Sequence, residues 1–162
     1  MTDPHHDYAD FCDAIRRRES SNKYACVNSL GFVGAYQFGM ARLCDLGLTE
    51  RIRPGYANDC FRWKAPMSRD SFLSNKSVQD ACFDLHVQKL KDQIIGHKIP
   101  LPFQCSCCSK PFSLDLSGAI GVCHLLGFGG LFSLVKRGRD EMDGYGTRAS
   151  TYGKLFSGYL IP

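Results

Sequence analysis

The amino-acid sequence predicts a mainly α-helical fold with one small β-hairpin. Apolar residues recur at spacings of three and four in several segments, which is the period of helices that bury one face. The 162 residues suit one domain of ordinary size, and a hydrophobic content of 44% can form a core. Because no repeat, low-complexity tract or long linker divides the chain, we expect a single domain over residues 1–162.

The first predicted helix covers residues 7–18 and ends beside a glutamate. Its buried face consists of apolar residues at spacings of three and four: Tyr8, Phe11 and Ile15. Three arginines, residues 16–18, fall in its last turn, where positive charge suits the helix dipole. Glu19 is therefore expected at the end of this helix or just past it.

A loop and a second helix are expected next. The stretch SSNKYACVNSLGFVG has the composition of a loop, and Gly31 and Gly34 can adopt positive φ. The segment GFVGAYQF is the predicted place of the small hairpin, or of a turn that carries aromatic residues. FGMARLCDLGL has helical spacing and ends at Gly47.

The middle of the chain is predicted to hold loops and one long helix. Residues 49–70 are expected to form loops, with Trp63 as a packing aromatic. SVQDACFDLHVQKLKDQII is the strongest helix, and Ser77 and Asp80 resemble a capping box at its start. We expect His86 on its surface. Its apolar stripe consists of Phe83, Val87, Leu90 and Ile94.

The last third of the chain is predicted to contain a connection rich in proline and cysteine, followed by helices interrupted by glycine. SGAIGVCHLLGFGGLFSLV carries no formal charge and is long enough to be tested as a membrane span. Its five glycines and His124 favour a buried helix, a glycine turn and a second helix, so we expect no stable membrane insertion. A loop, RGRDEMDGYGTRAS, and a short helix around STYGKLFSGY end the chain.

Charge and composition leave the function class open. The net charge of +4 suits an anionic partner, such as a bacterial cell wall or a nucleic acid, but it is also ordinary for a soluble domain. The first twenty residues contain no apolar run, which predicts a chain made in the cytoplasm without a secretory signal peptide. If the protein acts beyond a membrane, a phage particle or a secretion system would have to deliver it.

The segment ESSNKYACVNSLGFVGAYQFG resembles the signature of the lysozyme-like superfamily, which includes lytic transglycosylases and goose-type lysozymes. That signature opens with Glu-Ser at a helix end and continues through an Asn- and Tyr-containing loop to Gly, a short gap and Gln. Three further segments resemble phage-tail and secretion-associated members, so the resemblance covers nearly the whole chain. They are FLSNKSVQDACFDLHVQKL, LSGAIGVCHLLGFGGLFSLVKRG and DGYGTRASTYGKLFSGY.

The resemblance implies a fold of helices around a cleft and a glycosidase that cuts peptidoglycan between N-acetylmuramic acid and N-acetylglucosamine. Glu19 would be the general acid, because the departing oxygen needs a proton from a carboxylic acid that an apolar pocket keeps protonated. Tyr36 and Phe38 are the candidates for that apolar wall. The candidate ligands of N-acetyl groups and sugar hydroxyls are Ser20, Asn28 and Gln37.

Hydrolysis and transglycosylation remain alternatives. A hydrolase generally uses a second carboxylate, for which Asp143 is the main candidate beside Asp45 and Asp59. In a lytic transglycosylase, as the resemblance implies, the single glutamate also acts as base while the muramyl 6-hydroxyl closes a 1,6-anhydro ring. Thr147 and Tyr152, in the last family-like segment, are candidates for lining the cleft. It is equally consistent with the sequence that Thr147 is an ordinary loop residue and that the Tyr152 ring packs in the core.

The nine cysteines predict neither a metal site nor a cofactor. Cys105 and Cys108 form one C-x-x-C with Cys107 between them, but a second such pair is absent from the sequence, whereas structural zinc usually takes four ligands. Without an export signal the thiols are expected to be reduced and mostly buried, and a disulfide is the alternative in an oxidising periplasm. The resemblance is weakest at this segment.

Two other classes of function compete with the enzyme. One is a glycan-binding or structural component of a phage tail or secretion system on the same scaffold. The other is an inhibitor or nucleic-acid-binding adaptor, suggested by residues 16–18, although no groove-reading motif accompanies these arginines and we expect no nucleic-acid partner. For the enzyme, the expected partners are peptidoglycan strands, a delivery machine and an immunity protein.

Overall fold

The computed structural model describes residues 6–53, 60–106 and 111–162, and this part of the chain is mainly helical. The predicted fold class is confirmed in this respect, because helices account for 52% of the described residues and the described strands form two small antiparallel sheets. The chain separates into two compact units. We call Ile15–His86 the central unit, and Met1–Ala14 together with Val87–Pro162 the terminal unit. That residues 1–162 form a single domain stays a prediction.

The described residues contain six helices and four short strands. The helices are α1 (Tyr8–Ser20), α2 (Met40–Asp45), α3 (Arg69–Ser74), α4 (Lys76–Gly96), α5 (Leu116–Arg137) and α6 (Ala149–Phe156). The strands are β1 (Thr49–Arg51), β2 (Phe61–Trp63), β3 (Phe103–Cys105) and β4 (Phe112–Leu114). The first helix therefore begins one residue later and ends two residues later than predicted, and it includes Glu19.

Both hairpins lie in segments that were expected to form loops or connections. The strands β1 and β2 pair antiparallel within residues 49–70, and β3 pairs with β4 in the segment rich in proline and cysteine. The segment GFVGAYQF instead forms a turn, in which Val33 makes single bridges with Val27 and Phe38. Three-residue strands are too short to show alternating hydrophobicity, and pairs such as Glu50 opposite Arg62, joined at 2.6 Å, stabilise them instead.

The start of α4 also differs from its prediction. The Asn75 side chain accepts a hydrogen bond from the Val78 backbone N–H at 3.1 Å, so Asn75 rather than Ser77 caps the helix. Asparagine caps as well as serine does, and sequence spacing alone did not separate the two. The predicted apolar stripe is confirmed, because all four of its residues are buried: Phe83, Val87, Leu90 and Ile94.

The core of the central unit is aromatic. Tyr36 stacks on Phe83 with ring centroids 4.0 Å apart, and Trp63 packs against Phe72 as expected. His86 was predicted on the surface, which is wrong: it is buried, and its ring lies edge-on to Phe38. The face that carries Phe83 is wide enough to bury the residue three positions further on, because positions three apart are neighbours on a helix.

In the terminal unit, glycines bring α5 and α6 close together. A Cβ on Gly118 would meet the Ser157 hydroxyl and lie 2.6 Å from the Gly153 carbonyl oxygen, and one on Gly121 would lie 2.9 Å from the Phe156 side chain. The prediction of a helix, a glycine turn and a second helix is confirmed, because the backbone of α5 leaves the helical conformation at Gly127, where φ is 70° and ψ is 178°, and α5 therefore consists of two helical stretches joined by a kink. The glycines of this segment therefore serve close packing as well as a bend.

By length and composition, α5 could cross a membrane. This is weak evidence, because the buried core helix of a soluble protein passes the same test, and 56% of the apolar window is buried. Its N-terminus is capped by Asp115, which accepts hydrogen bonds from the N–H groups of Gly118 at 2.9 Å and Gly158 at 2.7 Å. The start of the helix is thus tied to the segment that follows α6.

Replacing Gly118 with alanine should destabilise the protein, because the new methyl group would collide with the backbone of α6. We expect Gly118→Ala to lower the free energy of unfolding by about 1–3 kcal/mol. Gly129→Ala on the same helix meets open space and should raise it by about 0.5–1 kcal/mol. Urea denaturation of both variants checks the pair, and an equal effect in both would contradict the close contact.

Candidate functional site

The candidate site begins where α1 ends. Glu19 lies in the last turn of the helix and is half-buried, between exposed Arg18 and buried Ser20. The helix ends because Ser21 and Asn22 adopt positive φ, at 55° and 63°. The backbone N–H of Asn22 then bonds to the Arg16 carbonyl at 3.1 Å, which closes the helix end. The position of Glu19 is therefore set by a defined helix terminus.

Ser20 fastens this helix end to the turn that contains Gly34 and Gln37. Its hydroxyl donates to the Ala35 carbonyl oxygen at 2.9 Å and accepts from the Lys23 backbone N–H at 3.1 Å. The serine is buried, so these bonds form away from water. The two halves of the family-like signature, Glu-Ser and GAYQF, are thus joined by a direct contact.

The loop of residues 28–38 is closed by its own polar side chains. The Asn28 side-chain oxygen accepts from the backbone N–H groups of Leu30 at 2.9 Å and Phe32 at 3.0 Å. Gln37 has a φ of 51°, and its side-chain amide donates to the Gly34 carbonyl oxygen at 2.8 Å. These amides supplement the few backbone hydrogen bonds of a segment that forms neither helix nor strand.

A fully buried glutamine on α4 holds this loop from the other side. The Gln79 side-chain oxygen accepts from the Ala35 backbone N–H at 2.8 Å, and its amide nitrogen donates to the carbonyl oxygens of Phe72 at 2.8 Å and Tyr24 at 3.1 Å. Gly34 has a φ of 81°, and a Cβ there would collide with this amide. Sequence analysis missed Gln79, although it lies four residues before Phe83 on the buried stripe.

Beside Gln79, a polar network connects α1, the loop and α4. Asp80 accepts hydrogen bonds from the hydroxyl groups of Tyr24 and Tyr36, both at 2.8 Å. Arg16 donates to the Tyr36 hydroxyl oxygen at 2.8 Å and lies 3.6 Å from the Asp80 carboxylate. The arginine also donates to the Asn22 side chain at 3.2 Å. One carboxylate and one guanidinium therefore fix both tyrosines.

This environment raises the pKa of Tyr36 far above that of a free tyrosine. Burial is the main cause, because it disfavours the phenolate, and the hydrogen bond donated to Asp80 acts in the same direction. The neighbouring Arg16 guanidinium opposes these effects without cancelling them. Tyr36 is thus held as a neutral hydroxyl that both donates and accepts.

Five of the predicted substrate ligands and wall residues belong to the central unit. Ser20, Tyr36, Gln37 and Phe38 are buried, while Asn28 is half-buried. The polar groups of Ser20, Asn28 and Gln37 bond to the protein backbone. The fold therefore uses these groups itself, and their contact with a substrate stays a prediction.

The remaining predicted residues lie in the terminal unit or on the surface. The Asp143 carboxylate accepts from the N–H groups of Tyr145 at 2.9 Å and Thr147 at 2.7 Å, which is the geometry of a turn former. Tyr152 is buried and meets Phe156 edge-to-face. Asp45 is exposed and lies 3.4 Å from Arg42. Asp59 lies outside the described residues.

A carboxylate that sequence analysis missed orders the loop before α6. Asp140 accepts from the Ser150 backbone N–H at 2.8 Å and from its hydroxyl at 2.7 Å, and only 11% of its side chain is exposed. Asp140 thereby provides an acceptor for a backbone N–H in the first turn of α6. The N-cap residue of this helix, Arg148, makes no side-chain cap hydrogen bond. Aspartate ten residues before its partner gives no local capping signal.

The central unit also contains an open groove of about 630 Å³. One wall is the loop that directly follows Glu19 and Ser20, and the other comes from the end of α3 and the start of α4. Its lining consists of residues 22–27 with Leu73, Ser74 and Lys76. Residues 22–27 were predicted to form a loop. The spacing of apolar residues did not predict that this loop forms a groove with the end of α3 and the start of α4.

The cysteines add no recognised site to this geometry. Among residues 6–53, 60–106 and 111–162, no three metal-ligating side chains come together. Cys105 is buried at the end of β3, whereas Cys107 and Cys108 lie outside the described residues. Burial raises the pKa of the Cys82 thiol above its ordinary value, which makes it less reactive.

Comparisons with known proteins provide no family for the chain. No family model, curated protein or solved structure matches it.

The raised pKa of Tyr36 predicts a loss of stability at alkaline pH. As the pH rises through about 10, the unfolded chain releases this proton while the folded chain retains it. The unfolded state then binds fewer protons, so the free energy of unfolding falls. Urea denaturation from about pH 8 to about pH 11 should show a shallower fall for Tyr36→Phe than for the wild type. Parallel curves would contradict the prediction.

Removing the Gln79 amide should destabilise the central unit. Gln79→Leu leaves the buried Ala35 N–H without its acceptor, and we expect a loss of about 2–4 kcal/mol in the free energy of unfolding. Gln88→Leu is the control, because this exposed glutamine of the same helix bonds to Asp92 at the surface and should change stability by less than about 0.5 kcal/mol. Similar losses in both variants, measured by urea denaturation, would exclude a special role for Gln79.

Proposed function

We propose that the protein is a peptidoglycan-cleaving glycosidase of the lysozyme-like type. Glu19 acts as the general acid at the β-1,4 bond between N-acetylmuramic acid and N-acetylglucosamine. The proposal extends the resemblance of residues 19–39 to the lysozyme-like signature, and it needs no metal or cofactor.

The observation that supports the proposal is the contact between the two halves of the signature. Ser20 is buried and donates to the Ala35 carbonyl oxygen, so the turn that carries Glu19 is fixed against the turn GAYQF. General acid catalysis requires a carboxyl group that is held in place and partly shielded from water. Glu19 is half-buried at a defined helix terminus, which meets the positional part of this requirement.

In the proposed reaction, the Glu19 carboxyl donates its proton to the glycosidic oxygen as the bond to the anomeric carbon breaks. The resulting carboxylate can then take a proton from an incoming hydroxyl group, which returns Glu19 to its acid form. If that hydroxyl belongs to water, the product has a reducing end. If it is the muramyl 6-hydroxyl, the product is a 1,6-anhydro sugar.

Of these two routes, the surroundings of the two candidate acids that the structure describes favour the one that needs no second carboxylate. Asp143 accepts two backbone N–H groups in its own turn, and exposed Asp45 pairs with Arg42. A nucleophile or water-activating base needs a carboxylate aimed at the substrate. We therefore propose transglycosylation by Glu19 alone, acting on the cell wall after delivery by a phage tail or secretion system and open to inhibition by an immunity protein.

Replacing Glu19 with glutamine should abolish cleavage, because the amide has no proton of suitable acidity to donate. We expect Glu19→Gln to reduce the clearing rate of a peptidoglycan suspension by at least about a hundredfold. Glu50→Gln changes a half-buried glutamate of β1 that pairs with Arg62, and it should retain wild-type activity. A fully active Glu19→Gln variant would refute the enzyme, whereas saccharide binding without released fragments would identify a glycan-binding component.

Mass spectrometry of the released fragments separates the two chemistries. Transglycosylation yields anhydro ends that are one water lighter than the reducing ends left by hydrolysis. If all fragments had reducing ends, the proposal of transglycosylation by Glu19 without a second carboxylate would be wrong. A second group that activates water would then be required.

A further inference from the structure

The net positive charge of the protein comes entirely from the central unit. Residues 15–86 contain 11 Lys and Arg against 7 Asp and Glu, whereas the remainder of the chain contains 9 of each. The net charge of +4 therefore belongs to the unit that carries Glu19 and the groove. Such an excess attracts anionic ligands over a distance set by the ionic strength.

Two lysines contribute this charge to the groove itself. Lys23 lies on the loop after Glu19, and Lys76 is the first residue of α4. Within the described part of the chain, neither ammonium group lies within ion-pair distance of a carboxylate. The apolar residues Val27 and Leu73 line the groove beside them. A ligand with a carboxylate and short apolar groups would complement this lining.

The groove wall is held in place by the polar network. The Tyr24 hydroxyl donates to Asp80 at 2.8 Å, and the Lys76 ammonium group lies 5.4 Å from the centre of the Tyr24 ring. Asp80 is itself fixed by Tyr36 and Arg16. The contact of the Lys76 ammonium group with the anchored Tyr24 ring preorganises the binding site, because the lysine side chain loses less conformational freedom when a ligand binds.

We propose that this groove binds the carboxylate of a peptide that is attached to the glycan strand. The inference rests on the proposed function, since peptidoglycan carries short peptides with free carboxylates whereas chitin-type saccharides are neutral. A volume of about 630 Å³ holds a ligand of a few residues rather than the face of a folded protein. The site thus selects glycan that bears peptides.

Binding can be tested without cleavage by using the Glu19→Gln variant throughout. Isothermal titration calorimetry at low ionic strength would compare a soluble disaccharide tetrapeptide with neutral N-acetylglucosamine oligomers. We expect the double substitution Lys23→Gln and Lys76→Gln to weaken muropeptide binding by about fivefold to tenfold and to leave binding of the neutral oligomer unchanged. Added salt should reduce the difference between the two proteins.

A matched control separates the groove from general charge. Lys64→Gln with Arg69→Gln removes two exposed positive charges of the same unit that do not line the groove. This control should change muropeptide affinity by less than about twofold. An equal loss in the control, or no loss in the groove variant when urea denaturation shows both to be folded, would overturn the proposal.

Activity assays distinguish a failure of the groove from a failure of the enzyme. With Glu19 intact, the groove variant should cut peptide-bearing strands more slowly than the wild type and cut amidase-stripped strands at the same rate. If the wild type cuts neither substrate but its muropeptide binding depends on both lysines, the proposed function fails and the groove stands. If the groove variant cuts both substrates at the wild-type rate, the groove proposal fails and the enzyme stands.

Discussion

The central unit depends on the backbone of one residue, Ala35, which is held from two sides. The Ala35 N–H donates to the buried Gln79 amide, and the Ala35 carbonyl accepts from Ser20. Buried polar groups are costly unless they are hydrogen-bonded, so both partners must stay in place for the turn to remain buried. Through the backbone of Ala35, the helix end that carries Glu19 is connected to α4. The glycine at position 34 is what allows the Gln79 amide to approach so closely.

The polar network adds orientation to this attachment. Asp80 follows Gln79 on α4 and points its carboxylate at two tyrosine hydroxyls, while Arg16 approaches from α1. Charge-assisted hydrogen bonds of this kind are more directional than apolar contacts, so the network specifies how the loop sits as well as holding it. Two neighbouring residues of one helix thus have different roles. Gln79 forms hydrogen bonds with buried backbone groups, whereas Asp80 orients the side chains of Tyr24 and Tyr36.

The sequence predicted the elements whose signal is a long apolar period. The stripe of α4, the helix end at Glu19 and the short last helix all follow from spacing. It could not predict the three-residue strands, because pairing across a hairpin depends on residues distant in sequence. His86 and Gln79 were misjudged or missed for one reason: both lie on the buried face of α4, and a polar residue there looks like surface until its partners are known. For Gln79, the spacing of four residues before Phe83 was the available indication that its side chain lies on the buried face.

The predicted substrate ligands already have hydrogen-bond partners within the protein. Ser20, Asn28 and Gln37 have the groups that hold a sugar, yet each directs polar atoms to backbone groups of residues 30–35. A motif that is read as a binding site can equally be a motif that builds the site's support, because the same donors and acceptors serve both purposes.

This use of the motif by the fold moves the question of recognition to neighbouring residues. Groups that already bond within the protein can bind a ligand only by giving up those bonds or by using spare capacity, whereas the Lys23 and Lys76 ammonium groups carry three donors each on flexible stems. Long-range attraction from a unit with all the net charge would bring an anionic strand to the loop after Glu19. In such an arrangement the buried motif positions the acid and the exposed loop selects what reaches it.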